Sequence, residues 1–135
     1  MNIKQAYLIC ACVVVASIAI VYGVSPQWFA KSFSGVADLD RTMAHILRAI
    51  MGLSMSFAIF WLFAASSNKH RNTAVLTTLI FAAGLVSGRL ISLVADGVPS
   101  RILVIYTLAE LALVPLAYWV YWLPEDRVGS KRPER

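Results

Sequence analysis

Four apolar runs, each about long enough to cross a bilayer, constrain this chain more than any other feature. They cover residues 7–24, 43–65, 73–95 and 101–123. The hydrocarbon core of a bilayer is about 30 Å thick, so a spanning helix needs about 20 apolar residues. In that layer the backbone must satisfy its own polar groups, and an apolar run of this length does so as a helix. The pattern predicts an all-α fold: a four-helix transmembrane bundle with up-down connections. Composition agrees. Of 135 residues, 59% are hydrophobic and 14% charged, against about 25% charged in soluble domains. So few polar residues cannot coat a water-facing surface, and the apolar exterior must meet lipid. Residues 1–124 are read as one membrane domain and 125–135 as a charged tail.

The first run follows Lys4 and holds no charge. It is long for the apolar core of a signal peptide and lacks a clean small-x-small cleavage site, so it is read as a span. The longest polar connection is 25–42. Ser25-Pro26 is a helix start, with proline at the first position. Trp28, Phe29 and Phe33 suit a membrane interface, and a short surface helix is expected here, ended by Gly35. Asp40 or Thr42 then caps the second span. Residues 66–72 form a tight polar turn, and Asp96-Gly97-Val98-Pro99-Ser100 a second one.

The net charge of +5 is explained by topology better than by nucleic acid, because no basic stripe interleaved with aromatics is present. Lys4, Lys69, Arg71, Arg127, Lys131, Arg132 and Arg135 fall on one side, against Lys31, Arg41 and Arg101 on the other. The richer side is expected to be cytoplasmic, with both termini there. Tyr118, Trp119, Tyr121 and Trp122 make an aromatic belt at the inner end of the fourth span.

The informative residues are charges inside the spans. Each costs about 2.5–3.5 kcal/mol at mid-helix, so each needs a partner or a purpose. At about 1.5 Å of rise per residue, Arg48 lies about 8 Å below the outer surface, Arg89 about 9 Å and Glu110 about 14 Å, with His45 near the surface. Three helices thus carry their charges in the same outer half. Ser92 lies near the face of Arg89, and Asp96 ends that span. Two readings follow. In one, an ion pair between Glu110 and an arginine holds the bundle. In the other, His45, Arg48, Arg89, Ser92, Asp96 and Glu110 line a polar pocket whose surplus positive charge suits an anionic or carbonyl oxygen.

Gly84 and Gly88 form a small-xxx-small pair that admits a close neighbour, and Gly52 lies one turn from Arg48. Pro115 frees the carbonyl of Leu111 beside Glu110. Cys10 and Cys12 point to different helix faces and are read as small apolar residues. No metal-ligand cluster, phosphate-binding loop or nucleophile elbow is present, and His45 and His70 lie too far apart in depth for a shared haem. No metal and no cofactor is expected.

The stretch Gly88-Arg89-Leu90-Ile91-Ser92-Leu93-Val94-Ala95-Asp96-Gly97-Val98-Pro99 resembles that of small bacterial four-helix membrane proteins, the domain of unknown function 4345 family. His45-Ile46-Leu47-Arg48 with Gly52 is similar to the family's arginine-bearing second helix, and Glu110 to its acidic fourth helix. The resemblance runs from about Tyr22 to Trp119 and implies a bacterial inner-membrane protein without implying a reaction. The function expected first is binding of a lipid or other amphipathic or anionic small molecule. Two alternatives stand beside it. One is an accessory subunit, in a homo-oligomer or a larger membrane complex. The other is a small intramembrane enzyme using Glu110 and His45 as acid and base.

Overall fold

In the computed structural model the described residues are 1–124. The expected charged tail, 125–135, lies outside them. Among the described residues the chain is helical, without strands: α1 (Ile3–Val24), α2 (Pro26–Phe29), α3 (Arg41–Ala65), α4 (Arg71–Asp96) and α5 (Arg101–Trp122). α2 continues into a wider π-helical turn, Ala30–Ser34. The four long helices are each long and apolar enough to cross a membrane. Large apolar side chains lie exposed along all of them, including Ile59, Phe63, Ile80, Ile91 and Ile105. In water such a surface would drive association; lipid tails would cover it at no cost.

Local chemistry sets the helix ends. The Asn2 side chain accepts from the Lys4 backbone N–H at 3.0 Å, so α1 begins before the apolar run does. Asp40 caps α3 in the same way, accepting from the Thr42 N–H at 3.2 Å. Gly35 stops the surface helix in the left-handed region at φ 69°, and Gly97 turns the chain out of α4 at φ 86°. These are conformations that a side chain disfavours. Pro115 is accommodated inside α5.

The helices associate as two pairs, α1 with α3 and α4 with α5, joined mainly through α4. The start of α1, the start of α4 and the end of α5 meet at one end of the molecule, here the base. The other end, the crown, carries α2 and the turn between α4 and α5, which meet where Ser100 Oγ donates to the Phe33 carbonyl at 3.0 Å. The hydrophobic core lies at the base: Leu8, Trp61, Ala64, Ala65, Ala74, Val75 and Val120. Trp61 is 1% exposed, lies against Phe57 and Phe81, and donates its indole N–H to Thr77 Oγ1 at 3.0 Å. In the crown, α5 buries no residue between Arg101 and Leu116.

Candidate functional site

The crown holds the one ion pair among the described residues. Arg89 projects from α4, and Glu110 meets it from α5. Arg89 Nε donates to Glu110 Oε2 at 2.5 Å and Nη2 donates to Oε1 at 3.0 Å. This two-point geometry matches a planar guanidinium to a planar carboxylate and resists rotation of either group. The side chains are 33% and 17% exposed. Both carboxylate oxygens are engaged by Arg89, whereas the Nη1 hydrogens and the second Nη2 hydrogen of Arg89 take no part in the pair.

The other polar positions do not join it. Ser92 donates to Asp96 Oδ2 at 2.8 Å, an exposed bond within the last turn of α4. His45 and Arg48 are exposed on the crown half of α3 and make no side-chain hydrogen bond or ion pair among the described residues. The candidate positions therefore form a bidentate pair, a local serine–aspartate bond, and two uncommitted bases on a helix that packs chiefly on α1.

The glycines behave differently from expectation. A Cβ placed on Gly52, Gly84 or Gly88 meets nothing within 4 Å, so within the chain these positions face open space. The close approach occurs at Gly23 of α1, where a Cβ would overlap the Met51 side chain, its own Cβ included. One turn deeper, Tyr22 and Ser54 share a hydroxyl–hydroxyl bond of 3.0 Å across the same α1–α3 interface.

Under the surface helix lies a half-open cavity of about 220 Å³. It is lined by Ser17, Ile18 and Val21 of α1, Trp28, Phe29 and Phe33 of the surface helix, and Tyr106 of α5. Ion pair and cavity are linked through α5, because Tyr106 and Glu110 are four residues apart and share a helix face, about 6 Å apart along the axis. Sequence reading placed the three surface-helix aromatics at a membrane interface. It did not find the α1 wall, because Ser17, Ile18 and Val21 look like any lipid-facing positions.

A second polar centre, at the base, was not anticipated. Lys4 is 2% exposed and Arg71 8%. Lys4 Nζ donates to Asn72 Oδ1 at 2.8 Å and to the Tyr121 carbonyl, in the last turn of α5, at 3.2 Å. Arg71 Nη2 donates to the Ala65 carbonyl, the last residue of α3, at 3.1 Å. Each cation thus meets a carbonyl that its helix leaves without a partner, at the negative end of that helix's dipole. Tyr7 and Thr78 add a hydroxyl–hydroxyl bond of 3.0 Å between α1 and α4. The sequence signal for this centre was the cluster Arg71, Asn72, Thr77 and Thr78 early in an otherwise apolar run. Among the described residues no group of His, Cys, Asp and Glu is arranged to hold a metal ion.

Searches of curated proteins and of solved structures give no match to this chain. The family model described as "Domain of unknown function (DUF4345)" matches residues 3–121, which take in the surface helix, both polar centres and the four long helices but for the last residue of α5. With nearly the whole chain matched, the protein belongs to the DUF4345 family.

Proposed function

We propose that this protein is a multi-pass protein of the bacterial inner membrane that binds a lipid or other amphipathic small molecule in the crown, with the base at the cytoplasmic face. The observation that carries this reading is the Arg89–Glu110 pair. Glu110 fixes the guanidinium in place, while donors directed away from the carboxylate stay available for a ligand oxygen. The pair stands in the half of the molecule with less buried core. A ligand with an anionic or carbonyl oxygen fits it. The uncommitted Arg48 on α3 extends the attraction for negative charge across the crown, with His45 one turn away on the same helix. The orientation rests on the sequence alone, in which Lys4, Lys69, Arg71 and the basic residues Arg127, Lys131, Arg132 and Arg135 after the fourth span outnumber Lys31, Arg41 and Arg101.

Native mass spectrometry of the protein released from mild detergent tests this reading, beside Arg89→Glu and the charge swap Arg89→Glu/Glu110→Arg. A co-purifying small molecule or lipid that is lost from a still-folded Arg89→Glu protein is the expected result. The swap controls for folding, because it keeps an ion pair while moving the cation. Wild-type protein without any bound small molecule overturns the reading.

The open faces at Gly52, Gly84 and Gly88 favour the second reading, an accessory subunit whose small residues admit a helix of another chain. That reading predicts the protein to be held by other chains in the same spectra, with Arg89→Glu leaving the assembly intact.

A further inference from the structure

The cavity under the surface helix has a distinctive lining. Four of its seven lining residues are aromatic or carry an indole: Trp28, Phe29, Phe33 and Tyr106. Three of them also hold one another. Trp28 meets Phe33 edge-on at 5.6 Å between ring centroids, and Phe29 lies 5.4 Å from Phe33. Phe29 is braced in turn by Tyr22 at 6.0 Å. The segment that carries them is tied down by Gln27, whose side chain both donates to the Leu39 carbonyl, at 2.7 Å, and accepts from the Leu39 N–H, at 3.1 Å. The wall is therefore a preset aromatic surface.

We propose that this cavity takes a single ring at the apolar end of an amphiphile whose oxygen end meets Arg89, so that the ligand class is a ring-bearing carboxylate or carbonyl compound and not a straight-chain lipid; this rests on the binding reading above. Size supports it: an engineered apolar cavity of about 150 Å³ holds benzene, and about 220 Å³ leaves room for a ring with its first substituents. Chemistry supports it as well. A straight acyl chain is as well solvated by lipid tails as by this cavity, so it gains little by entering. A ring gains edge-to-face and offset contacts with fixed aromatic partners at centroid distances of about 4.5–7 Å. Position supplies the polar end. From Tyr106 one helical turn along α5 leads to Glu110 and the guanidinium it holds. Ile18 and Val21, 38% and 40% exposed, leave the α1 side open to lateral entry.

The test is photolabelling of the full-length protein in lipid nanodiscs with two carboxylate probes. One carries a diazirine on a single phenyl ring, and the other carries it within a straight alkyl chain. Labelled residues are mapped by mass spectrometry. The ring probe is expected to label residues 17–21 and 28–33, and each of the cavity-filling substitutions Val21→Phe and Ser17→Leu is expected to weaken that labelling about tenfold. Both positions are exposed, so neither substitution disturbs packed core, and two variants guard against one failing to fold. Ile80→Phe on the outward face of α4 is expected to change nothing. Equal cavity labelling by the straight-chain probe overturns the ring assignment. Ring labelling that survives Arg89→Glu overturns the shared placement. A cavity left unlabelled by both probes overturns this inference alone if the co-purifying ligand still depends on Arg89. If that dependence is absent too, the binding reading falls with it.

Discussion

The base and the crown are built from the same helices and solve opposite problems. At the base, Trp61, Leu8, Val75 and Val120 are almost fully buried, and the polar groups Lys4, Asn72, Tyr7, Thr77, Thr78 and Arg71 bond across helices or to helix ends. In the crown, the helix pairs share little core, an ion pair stands partly exposed, and aromatic side chains of the surface helix border a half-open cavity. Between membrane helices the hydrophobic effect offers no net drive, so association depends on close packing and on satisfying polar groups. The base uses both. The crown satisfies its charges with less packing, which leaves space and donors for another molecule. Packing is therefore concentrated at the base, and the binding proposed above at the crown.

That division is open to direct attack. Trp61→Ala is expected to cause the largest loss, about 3–5 kcal/mol, since it removes the largest buried side chain and leaves Thr77 without its indole donor; reversible unfolding in mixed micelles measures it. Lys4→Met should follow at about 1.5–3 kcal/mol, the range for hydrogen bonds made by a charged group. It should also free the end of α5, seen as faster amide exchange there. Gly23→Val tests whether the α1–α3 pair is as tightly fitted as the Met51 overlap implies. Overpacking of this kind costs about 1–3 kcal/mol.

Glu110→Gln is the sharpest test. A fully buried pair broken on one side loses about 3–5 kcal/mol, but partial exposure and a side of low packing reduce this to about 1 kcal/mol. Ligand retention should suffer far more than unfolding. A stability loss as large as that of Trp61→Ala would make the pair a structural clamp and erase the contrast between the two ends.

The smallest effect concerns Asp40. The Thr42 hydroxyl, with the Thr42 N–H, holds its carboxyl below the usual carboxylate range. A depressed folded-state value means that the cap's contribution is present above about pH 4 and fades as pH falls through the folded value. Amide exchange in the first turn of α3 should rise in that acid window, and Asp40→Asn should abolish the dependence.

Much of this was legible beforehand, and the misses have physical causes. The expected spans 43–65, 73–95 and 101–123 lie within two residues of α3, α4 and α5 at each end, because hydropathy and end-capping residues act locally. α1 began earlier than its apolar run, since Lys4 finds acceptors on α4 and α5 and need not lie in water. Depth counting brought Arg89 and Glu110 to similar levels, and they pair. It also set Arg48 and His45 at crown depth, but depth says nothing about azimuth, and both turned outward. Gly52, Gly84 and Gly88 meet no close neighbour within the chain for a related reason. In a membrane the packed face and the lipid face are both apolar, so a small-xxx-small spacing marks a surface that can be approached closely without saying what approaches it.

By itself, the sequence determined the all-helical class, the number of long helices and the limits of α3, α4 and α5, the surface helix between Ser25 and Gly35, and the cost of three charges placed inside apolar runs. Those properties follow from hydropathy, helix caps and the penalty for charge in hydrocarbon, which act within a few residues of chain. The tertiary structure alone decided that α1 takes α3 and α4 takes α5, that within the chain Gly23 and not Gly84 or Gly88 is the point of close contact, that Lys4 and Arg71 serve as buried caps, and that aromatic residues of the surface helix and α5 line a half-open cavity against α1. Each depends on which face of one helix meets which face of another. That choice is made by side-chain fit between distant segments, and no local pattern encodes it.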